Sequence, residues 1–173
     1  ADVIYMSVDD QSEWLDTRGL NQLGAYLPHN SIQRRNIGYL HAYEQGADVI
    51  VSLDDDNLAR DDDIFGKFAT VGEEVNVLEA TSSNDWYNCA SMMDYEQESS
   101  RDVYHRGFPY SKRGRAVEYD FTEAKREIAI RAGLWVDVPD VDVVTHLERS
   151  PRATSLREEF EDIPLALGDE TYC

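Results

Sequence analysis

The chain is poor in lysine, in cysteine and in long apolar runs, and each shortage argues against a class of function. It has only three lysines, and all Lys and Arg residues number 16 against 35 acidic residues, which gives a net charge of -19. We expect no nucleic-acid partner, because phosphate backbones bind clustered Lys and Arg. The apolar runs stay well short of the roughly 18 residues of a membrane helix, so we expect no transmembrane segment.

Cysteine is represented by Cys89 and Cys173 alone. Two distant cysteines do not form the framework of a disulfide-rich domain, and they lack the spacing of zinc ligands. We therefore expect two ordinary thiols in a reducing cytoplasm.

The acidic residues are spread along the whole chain instead of forming a tail. Self-repulsion of this size destabilises a compact state unless salt screens it. The composition therefore predicts a cytoplasmic protein of a high-salt organism.

The length of 173 residues and the hydrophobic content of 42% predict one domain over residues 1–173. The chain begins with Ala1 and not with Met, so we expect it to be processed or to be part of a longer protein. The oligomeric state stays open.

The pattern of apolar residues predicts an α/β fold. Residues 2–8 read as a strand, 19–26 as a short helix, 30–45 as a helix capped by Asn30 or Ser31 and ended by Gly46, and 48–53 as a strand buried on both faces. This β-α-β order is the unit of a parallel sheet.

The remaining predictions are less regular. We expect a helix over residues 62–70, a strand over 75–81, mostly loop over 82–101 with a possible strand at 88–93, a helix over 121–132 and a strand over 134–138.

Three consecutive carboxylates follow the predicted strand 48–53, namely Asp54, Asp55 and Asp56. Ligands of open α/β sheets bind at the carboxyl ends of strands, and Mg²⁺ or Mn²⁺ prefers carboxylate oxygens together with substrate phosphates. Asp56 is the first candidate metal ligand, Asp54 is a second ligand or lies near a ribose, and Asp55 is a candidate substrate contact. The alternative is that these three aspartates are a chance run in an acidic chain. A second acidic run at 61–63 is interpreted as the start of a helix.

Two arginines, Arg34 and Arg35, precede these aspartates near the start of the predicted helix. Guanidinium groups bind phosphate oxygens in bidentate fashion, which makes both candidate substrate contacts. The alternative is a pair of surface arginines that balance nearby acids.

Five separated motifs occur in one order along the chain. They are RNIGY at 35–39, DDD at 54–56, RGFPYSKR at 106–113, GLW at 133–135 and PDVD at 139–142. Together they resemble the reversibly glycosylated polypeptides, which are the UDP-arabinopyranose mutases of plants, and the related STELLO-type glycosyltransferases. The resemblance extends over about residues 2–152.

This resemblance implies a nucleotide-diphospho-sugar transferase fold of the GT-A type, with a mostly parallel sheet flanked by helices, and Mn²⁺ or Mg²⁺ at the aspartates. It also implies reversible glycosylation at Arg106 and gives Arg113 the place of the second arginine of the same motif. The family has an earlier strand and further site residues after the PDVD segment, so we expect the fold in this chain to be incomplete.

Guanidinium is normally protonated and a poor nucleophile, so covalent chemistry at Arg106 needs a neighbouring carboxylate. Asp140 and Asp142 are the candidates for that carboxylate or for a general base. Binding of phosphate or sugar by Arg106, or a purely structural role, remains an alternative.

Other candidates carry weaker signals. His105 and His146 are acid–base candidates or ordinary polar histidines. The aromatic residues Trp86, Tyr87 and Trp135 are candidates for stacking on a sugar or base, or members of the core.

Three functions follow from the sequence. The first is a metal-dependent mutase acting on a UDP-linked sugar, with self-glycosylation at Arg106. The second is a glycosyltransferase with a separate acceptor. The third is a non-catalytic interaction module of the same fold.

Overall fold

A computed structural model describes residues 3–60, 62–96, 103–161 and 163–173. The chain divides into two compact units, Ala1–Phe65 and Gly66–Cys173, and each is described by itself. The assignment of residues 1–173 to one domain stays a prediction.

The first unit consists of helices and a long irregular segment. Its elements are α1 (Val8–Asp16), α2 (Asn21–Tyr26), a 3-10 turn (Ile32–Arg34) and α3 (Arg35–Glu44). Ser31 caps the 3-10 turn by accepting from the amide of Gln33, and Gly46 follows α3 with a φ of 81°. The predicted helices 19–26 and 30–45 are therefore confirmed, and Leu15 and Ile37 form the buried interior.

The predicted strand 2–8 is wrong. Residue 2 lies outside the described residues, 3–7 form no ladder, and Val8 begins α1. Ser7 and Asp10 form a capping box, in which each side chain bonds the backbone amide of the other. This local signal for a helix start is visible in the sequence and outweighs the short apolar run.

The predicted strand 48–53 is also wrong, because these residues pair with no strand in the described part of the chain. They belong to an irregular segment between α3 and α4 (Ile64–Phe68). The predicted helix 62–70 is confirmed as the shorter α4.

The second unit contains a three-stranded sheet in the order β3-β1-β5. The strand β1 (Glu74–Ser82) confirms the prediction for 75–81 and lies between β3 (Tyr119–Glu127), which is antiparallel to it, and β5 (Leu165–Leu167), which is parallel. The protein is α/β, but its sheet is mixed and not mostly parallel as predicted.

The predicted helix 121–132 is wrong, because β3 pairs with β1 over nine residues from Tyr119↔Ser82 to Glu127↔Glu74. A second, two-stranded sheet joins β2 (Met93–Tyr95) to β4 (Ala153–Leu156), and a 3-10 turn (Cys89–Met92) precedes it. The predicted strand 134–138 is reduced to a single bridge between Asp137 and Ala153, where Asp137 has a φ of 69°.

Two apolar clusters hold the second unit together. Their buried members are Ala80, Tyr87, Met92 and Phe160 in one, and Ala90, Val103 and Val141 in the other. Tyr87 fixes the segment before Cys89, while Val103 and Val141 fix the segments that carry Arg106 and Asp140. The α-helix α5 (Val143–Arg149) follows directly after Asp142.

Among the described residues, no helix combines the length and apolar character that a bilayer crossing requires.

Candidate functional site

The aspartate run lies in a turn that is closed by two hydrogen bonds between Asp54 and Asn57. The amide of Asn57 donates to the carbonyl of Asp54 at 3.2 Å, and the amide of Asp54 donates to the side-chain oxygen of Asn57 at 3.1 Å. Asp54 is half-buried, whereas Asp55 and Asp56 are exposed. The acidic side chains thus sit on a turn and not, as predicted, at the end of a strand.

Arg35 contacts this turn from α3. Its Nη2 atom lies 2.5 Å from Asp54 Oδ1, and this hydrogen bond raises the pKa of Arg35 above its usual value. One turn further along α3, the hydroxyl of Tyr39 donates to Ser52 Oγ at 2.6 Å. Residues 35 and 39 of the RNIGY motif therefore attach the acidic turn to α3.

Arg34 has a different environment although it is the neighbour of Arg35. It is 9% exposed, its Nε donates to Gln11 Oε1 at 2.7 Å, and its Nη1 donates to the carbonyl of Leu27 at 3.2 Å. It connects α1 to the segment after α2, while Arg35 keeps an exposed guanidinium.

The turn carries the oxygen donors that hard divalent cations prefer, but its three carboxylates do not converge into a three-ligand group in the described residues. Asp54, Asp55, Asp56 and Asn57 offer side-chain oxygens, and Mg²⁺ commonly takes one or two carboxylates and completes its shell with water and substrate phosphate. Arg35 occupies Asp54 Oδ1 and the Asp54 amide occupies Asn57 Oδ1, which leaves Oδ2 of Asp54 and the exposed carboxylates of Asp55 and Asp56 as the available ligand atoms.

In the second unit, the segment around Arg106 runs antiparallel to the segment around Asp140. His105 and Val141 form an isolated bridge, the amide of Arg106 donates to the carbonyl of Asp140, and the amide of Asp142 donates to the carbonyl of Tyr104, both at 3.2 Å. The RGFP and PDVD motifs, more than thirty residues apart, are therefore paired through their backbones.

Arg106 and Asp140 also meet through their side chains. Arg106 Nη2 lies 2.9 Å from Asp140 Oδ2, and the side chains are 71% and 41% exposed. The carboxylate beside Arg106 is thus Asp140, and both groups are open to solvent and to a ligand.

The RGFP motif owes its shape to its glycine and its phenylalanine. Gly107 has a φ of 102°, a conformation that side-chain-bearing residues rarely adopt. Phe108 is 2% exposed, stacks on Tyr104 with a centroid distance of 5.0 Å and meets His105 edge-on at 5.5 Å. Burial of Phe108 fixes the segment, and the turn at Gly107 leaves Arg106 on the surface.

The side chain of Arg113 is only 14% exposed, against 71% for Arg106. Its Nη1 lies 3.0 Å from Asp142 Oδ2, its Nη2 donates to the carbonyl of Phe108 at 3.1 Å, and its guanidinium carbon lies 3.9 Å from the centre of the Tyr110 ring. These contacts connect the end of the RGFPYSKR motif to the start of α5.

Asp142 caps α5. Its Oδ1 accepts from the amides of Val144 at 3.0 Å and Thr145 at 3.2 Å, and its Oδ2 accepts from the hydroxyl of Thr145. Burial alone raises the pKa of Asp142, but the hydrogen bonds from Thr145 and Arg113 outweigh it and lower the value to about 2. Asp142 is therefore a fully engaged carboxylate, in contrast to Asp140.

Trp135 is 39% exposed and lies outside regular structure, so its role as a sugar contact stays a prediction. Tyr87 is buried in the core. Trp86 lines a cavity of about 440 Å³ together with Asp85, Glu170 and Tyr172. Of the three aromatic candidates, two remain reachable by a ligand.

The expectation of two ordinary thiols is wrong, because Cys89 and Cys173 are joined by a disulfide. His105 lies beside it, with Nε2 at 3.7 Å from the sulfur of Cys173. No spacing signal marks this cluster in the sequence, since its members are 16 and 68 positions apart and meet only through the tertiary fold.

Comparison with known proteins connects the chain to glycosyltransferases. "Probable glycosyltransferase STELLO2" of Arabidopsis thaliana is 31% identical over 156 residues, which are 84% of this chain and 19% of that protein. "Probable glycosyltransferase STELLO1" of the same plant is 28% identical over 169 residues, 92% of this chain and 21% of that protein. No protein-family model matches.

The chain spans about a fifth of the length of these curated relatives. Their similarity supports a glycosyltransferase-like relationship and is compatible with a GT-A-like fold. The likeness to the arabinopyranose mutases stays a prediction, as do the roles of the individual site residues.

Proposed function

We propose that this chain carries nucleotide-sugar-binding elements of a metal-dependent glycosyltransferase, which moves a sugar from a UDP-linked donor to a separate acceptor. The observation that carries the proposal is the contact between Arg35 and Asp54. It places a phosphate-binding type of side chain against the acidic turn, so both groups that a metal–diphosphate complex needs lie together within the first unit.

Asp54 and Asp56 are the proposed ligands of Mn²⁺ or Mg²⁺, and Asp55 is a proposed substrate contact on the same turn. When bound, the cation neutralises the charge of the diphosphate leaving group. Arg35, which is exposed, is the proposed phosphate contact. The burial of Arg34 favours a role for it in holding α1, so Arg35 is the better candidate of the two.

In the second unit, Arg106 is the proposed contact to the sugar or phosphate, and Asp140 is the proposed general base for the acceptor hydroxyl. Asp140 is half-exposed and is held in place by the backbone pairing with Arg106. Asp142 is the weaker candidate for a base, because a pKa of about 2 makes a carboxylate a poor proton acceptor at neutral pH. Arg113 supports this segment through Asp142.

Titration calorimetry with UDP and Mn²⁺ tests the metal–diphosphate proposal. We expect binding of UDP that requires Mn²⁺, and a loss of at least about tenfold in affinity, or about 1.4 kcal/mol, in the double variant Asp54→Asn/Asp56→Asn. The matched control is Asp16→Asn/Asp48→Asn, which removes two exposed carboxylates of the same unit. It should bind as the unaltered chain does.

Equal affinity of the Asp54→Asn/Asp56→Asn variant and the control would refute the metal site. Absence of any metal-dependent heat in the unaltered chain would refute the transferase proposal and leave the non-catalytic interaction module.

The contact of Arg106 with Asp140 also favours a second candidate, the UDP-sugar mutase with transient self-glycosylation. In that reaction an Arg106 nitrogen forms a bond to carbon 1 of the sugar, the bond from carbon 1 to the diphosphate oxygen breaks, UDP leaves, and Asp140 takes the guanidinium proton. Asp140 is the only partner carboxylate that the described residues place within 4 Å of Arg106.

Incubation with UDP carrying a radiolabelled sugar separates the two candidates. Label that stays on the chain and disappears in Arg106→Ala supports the mutase, while label found only on an added acceptor supports the transferase. Arg152→Ala is the matched control, because Arg152 also forms an exposed ion pair with an aspartate, Asp137.

A further inference from the structure

A cluster of two sulfurs and one imidazole lies in the second unit and plays no part in the proposed transfer reaction. The sulfurs of Cys89 and Cys173 and a ring nitrogen of His105 all lie within 4.8 Å of one another. Thiolate and imidazole together are the ligand types that proteins use for zinc, and three protein ligands with one open position are a common arrangement.

Three separate chain segments bring the cluster together. The 3-10 turn that begins at Cys89 follows the buried Tyr87, and Tyr172 pairs with Trp86, so that Cys173 lies beside Cys89. His105 is held by its bridge to Val141. Each of the three segments is thus held by a contact of its own in addition to the bond between the sulfurs.

Asn88 sets the orientation of the histidine ring. Its side-chain oxygen lies 3.2 Å from His105 Nδ1 and also accepts from the His105 amide at 3.2 Å, while its side-chain nitrogen donates to the carbonyl of Val103 at 2.7 Å. Because an amide oxygen only accepts, Nδ1 carries the hydrogen and Nε2 presents its lone pair to the sulfurs. Proteins orient the histidine ligands of metals through such a bond from the other ring nitrogen.

The surroundings of the cluster suit a metal ligand set. His105 is only 9% exposed, so its imidazole is largely shielded from solvent. Cys173 is exposed, which leaves a path for an ion and for a reductant.

We propose that the reduced form of this cluster binds a zinc ion through Cys89 Sγ, Cys173 Sγ and His105 Nε2, and that the disulfide is the oxidised, metal-free form. On binding, the two thiols each release a proton to solvent, so that two thiolates and the doubly charged ion form a neutral site. In the disulfide the two sulfurs are bonded to each other and no longer supply thiolates, so the oxidised form lacks this ligand set.

Cobalt titration of the chain tests the proposal directly. A phosphine cleaves the disulfide to two thiols, and is itself oxidised to the phosphine oxide with oxygen and two protons from water. After anaerobic removal of the phosphine, we expect one equivalent of Co²⁺ to produce a thiolate-to-cobalt charge-transfer band, and one equivalent of Zn²⁺ to abolish it. The untreated disulfide form should give no such band.

Variants assign the band to the cluster. Loss of a residue that only hydrogen-bonds to a metal ligand lowers metal affinity by roughly 10- to 100-fold. His105→Gln removes a ligand itself, so it should lower the affinity for Co²⁺ by more than that. Cys89→Ser should remove the band, and His146→Gln, which replaces an exposed histidine of α5, should retain it. The comparison of reduced with oxidised unaltered chain needs no variant, and circular dichroism of the reduced chain checks that it stays folded.

The proposal is overturned if the reduced chain shows no charge-transfer band, or if the oxidised chain shows an equal one. The test is independent of the proposed transferase site, because cobalt bound by carboxylates alone gives no thiolate band. Asp54→Asn/Asp56→Asn should therefore keep the band in full.

Discussion

Arg113 and Asp142 form a largely buried ion pair, with Arg113 Nη1 at 3.0 Å from Asp142 Oδ2 and side chains that are 14% and 7% exposed. The neighbouring pair of Arg106 and Asp140 is built from the same residue types but is exposed. The two pairs divide the RGFP and PDVD motifs into a supporting part and a part that a ligand can reach.

Replacement of Asp142 by alanine should destabilise the chain strongly. The change leaves the Arg113 guanidinium buried without its counter-charge, which costs about 3–5 kcal/mol, and it removes the cap of α5. Urea unfolding measures the loss. Asp140→Ala, which breaks the exposed pair, should cost no more than about 1 kcal/mol, and equal losses for the two variants would contradict the distinction.

Stability should fall when the pH drops from about 4 to about 2. The hydrogen bonds from Thr145 and Arg113 hold the pKa of Asp142 at about 2 in the folded chain, against an ordinary value of 3.8. A carboxyl group with a depressed folded pKa stabilises the fold above its unfolded pKa, and this contribution is lost as the pH falls through the folded pKa. The lowering of the Asp142 pKa corresponds to about 2 kcal/mol in the free energy of unfolding.

Unfolding by urea at a series of pH values detects this contribution, with Asp142→Asn as the reference. The difference in free energy of unfolding between the unaltered chain and Asp142→Asn should shrink over that pH interval. A difference that stays constant down to pH 2 would show that Asp142 does not titrate as described.

Two glycines should respond to alanine in opposite directions. Gly107→Ala should destabilise by about 1–3 kcal/mol, because its φ of 102° disfavours a side chain although no atom lies within 4 Å of the added Cβ. Gly38→Ala, in the interior of α3 and equally uncrowded, should stabilise by about 0.5–1 kcal/mol. Thermal unfolding of the two variants checks both signs at once.

Salt should stabilise the chain. A net charge of -19 repels itself, and counter-ions screen that repulsion over about 10 Å at moderate salt. We expect the thermal midpoint to rise continuously from dilute buffer to molar KCl, with recovery of structure when salt is restored. Full stability in dilute buffer would remove the interpretation of a high-salt cytoplasm.

The sequence was sufficient where structure is decided locally. The helix start at Ser31 and the stop at Gly46 are properties of a few neighbouring residues, and both hold. The capping box of Ser7 and Asp10 is equally local, and it decides the helix start against the adjacent apolar run.

The sequence was insufficient where secondary structure depends on pairing between segments that are distant along the chain. Residues 121–132 are rich in Glu, Lys, Arg and Ala and read as a helix, yet Tyr119–Glu127 lies along the full length of β1. Residues 48–53 have the apolar character of a strand, but in the described part of the chain no partner pairs with them. A strand is stabilised by the strand with which it pairs, and that partner cannot be predicted from a single sequence.

The candidate site shows the same division. The sequence motifs identified four candidate residues, Arg35, Asp54, Arg106 and Asp140. Only the fold shows that Arg35 contacts Asp54 and that Arg106 contacts Asp140. The fold also distinguishes Arg113 and Asp142, which are largely buried, from Arg106 and Asp140, which are exposed. The cluster of Cys89, His105 and Cys173 has no sequence signal, since its parts come from three distant segments.

The middle of β1 is bonded along both of its edges, since Leu78, Glu79 and Ala80 pair with β3 on one side and with β5 on the other. Local fraying at either end of the strand does not free these residues, so their amide hydrogens should exchange with deuterium only when the whole second unit opens. Their exchange rate would therefore report the global free energy of unfolding of that unit, and the amides at Glu74 and Val75, paired with β3 alone, should exchange sooner.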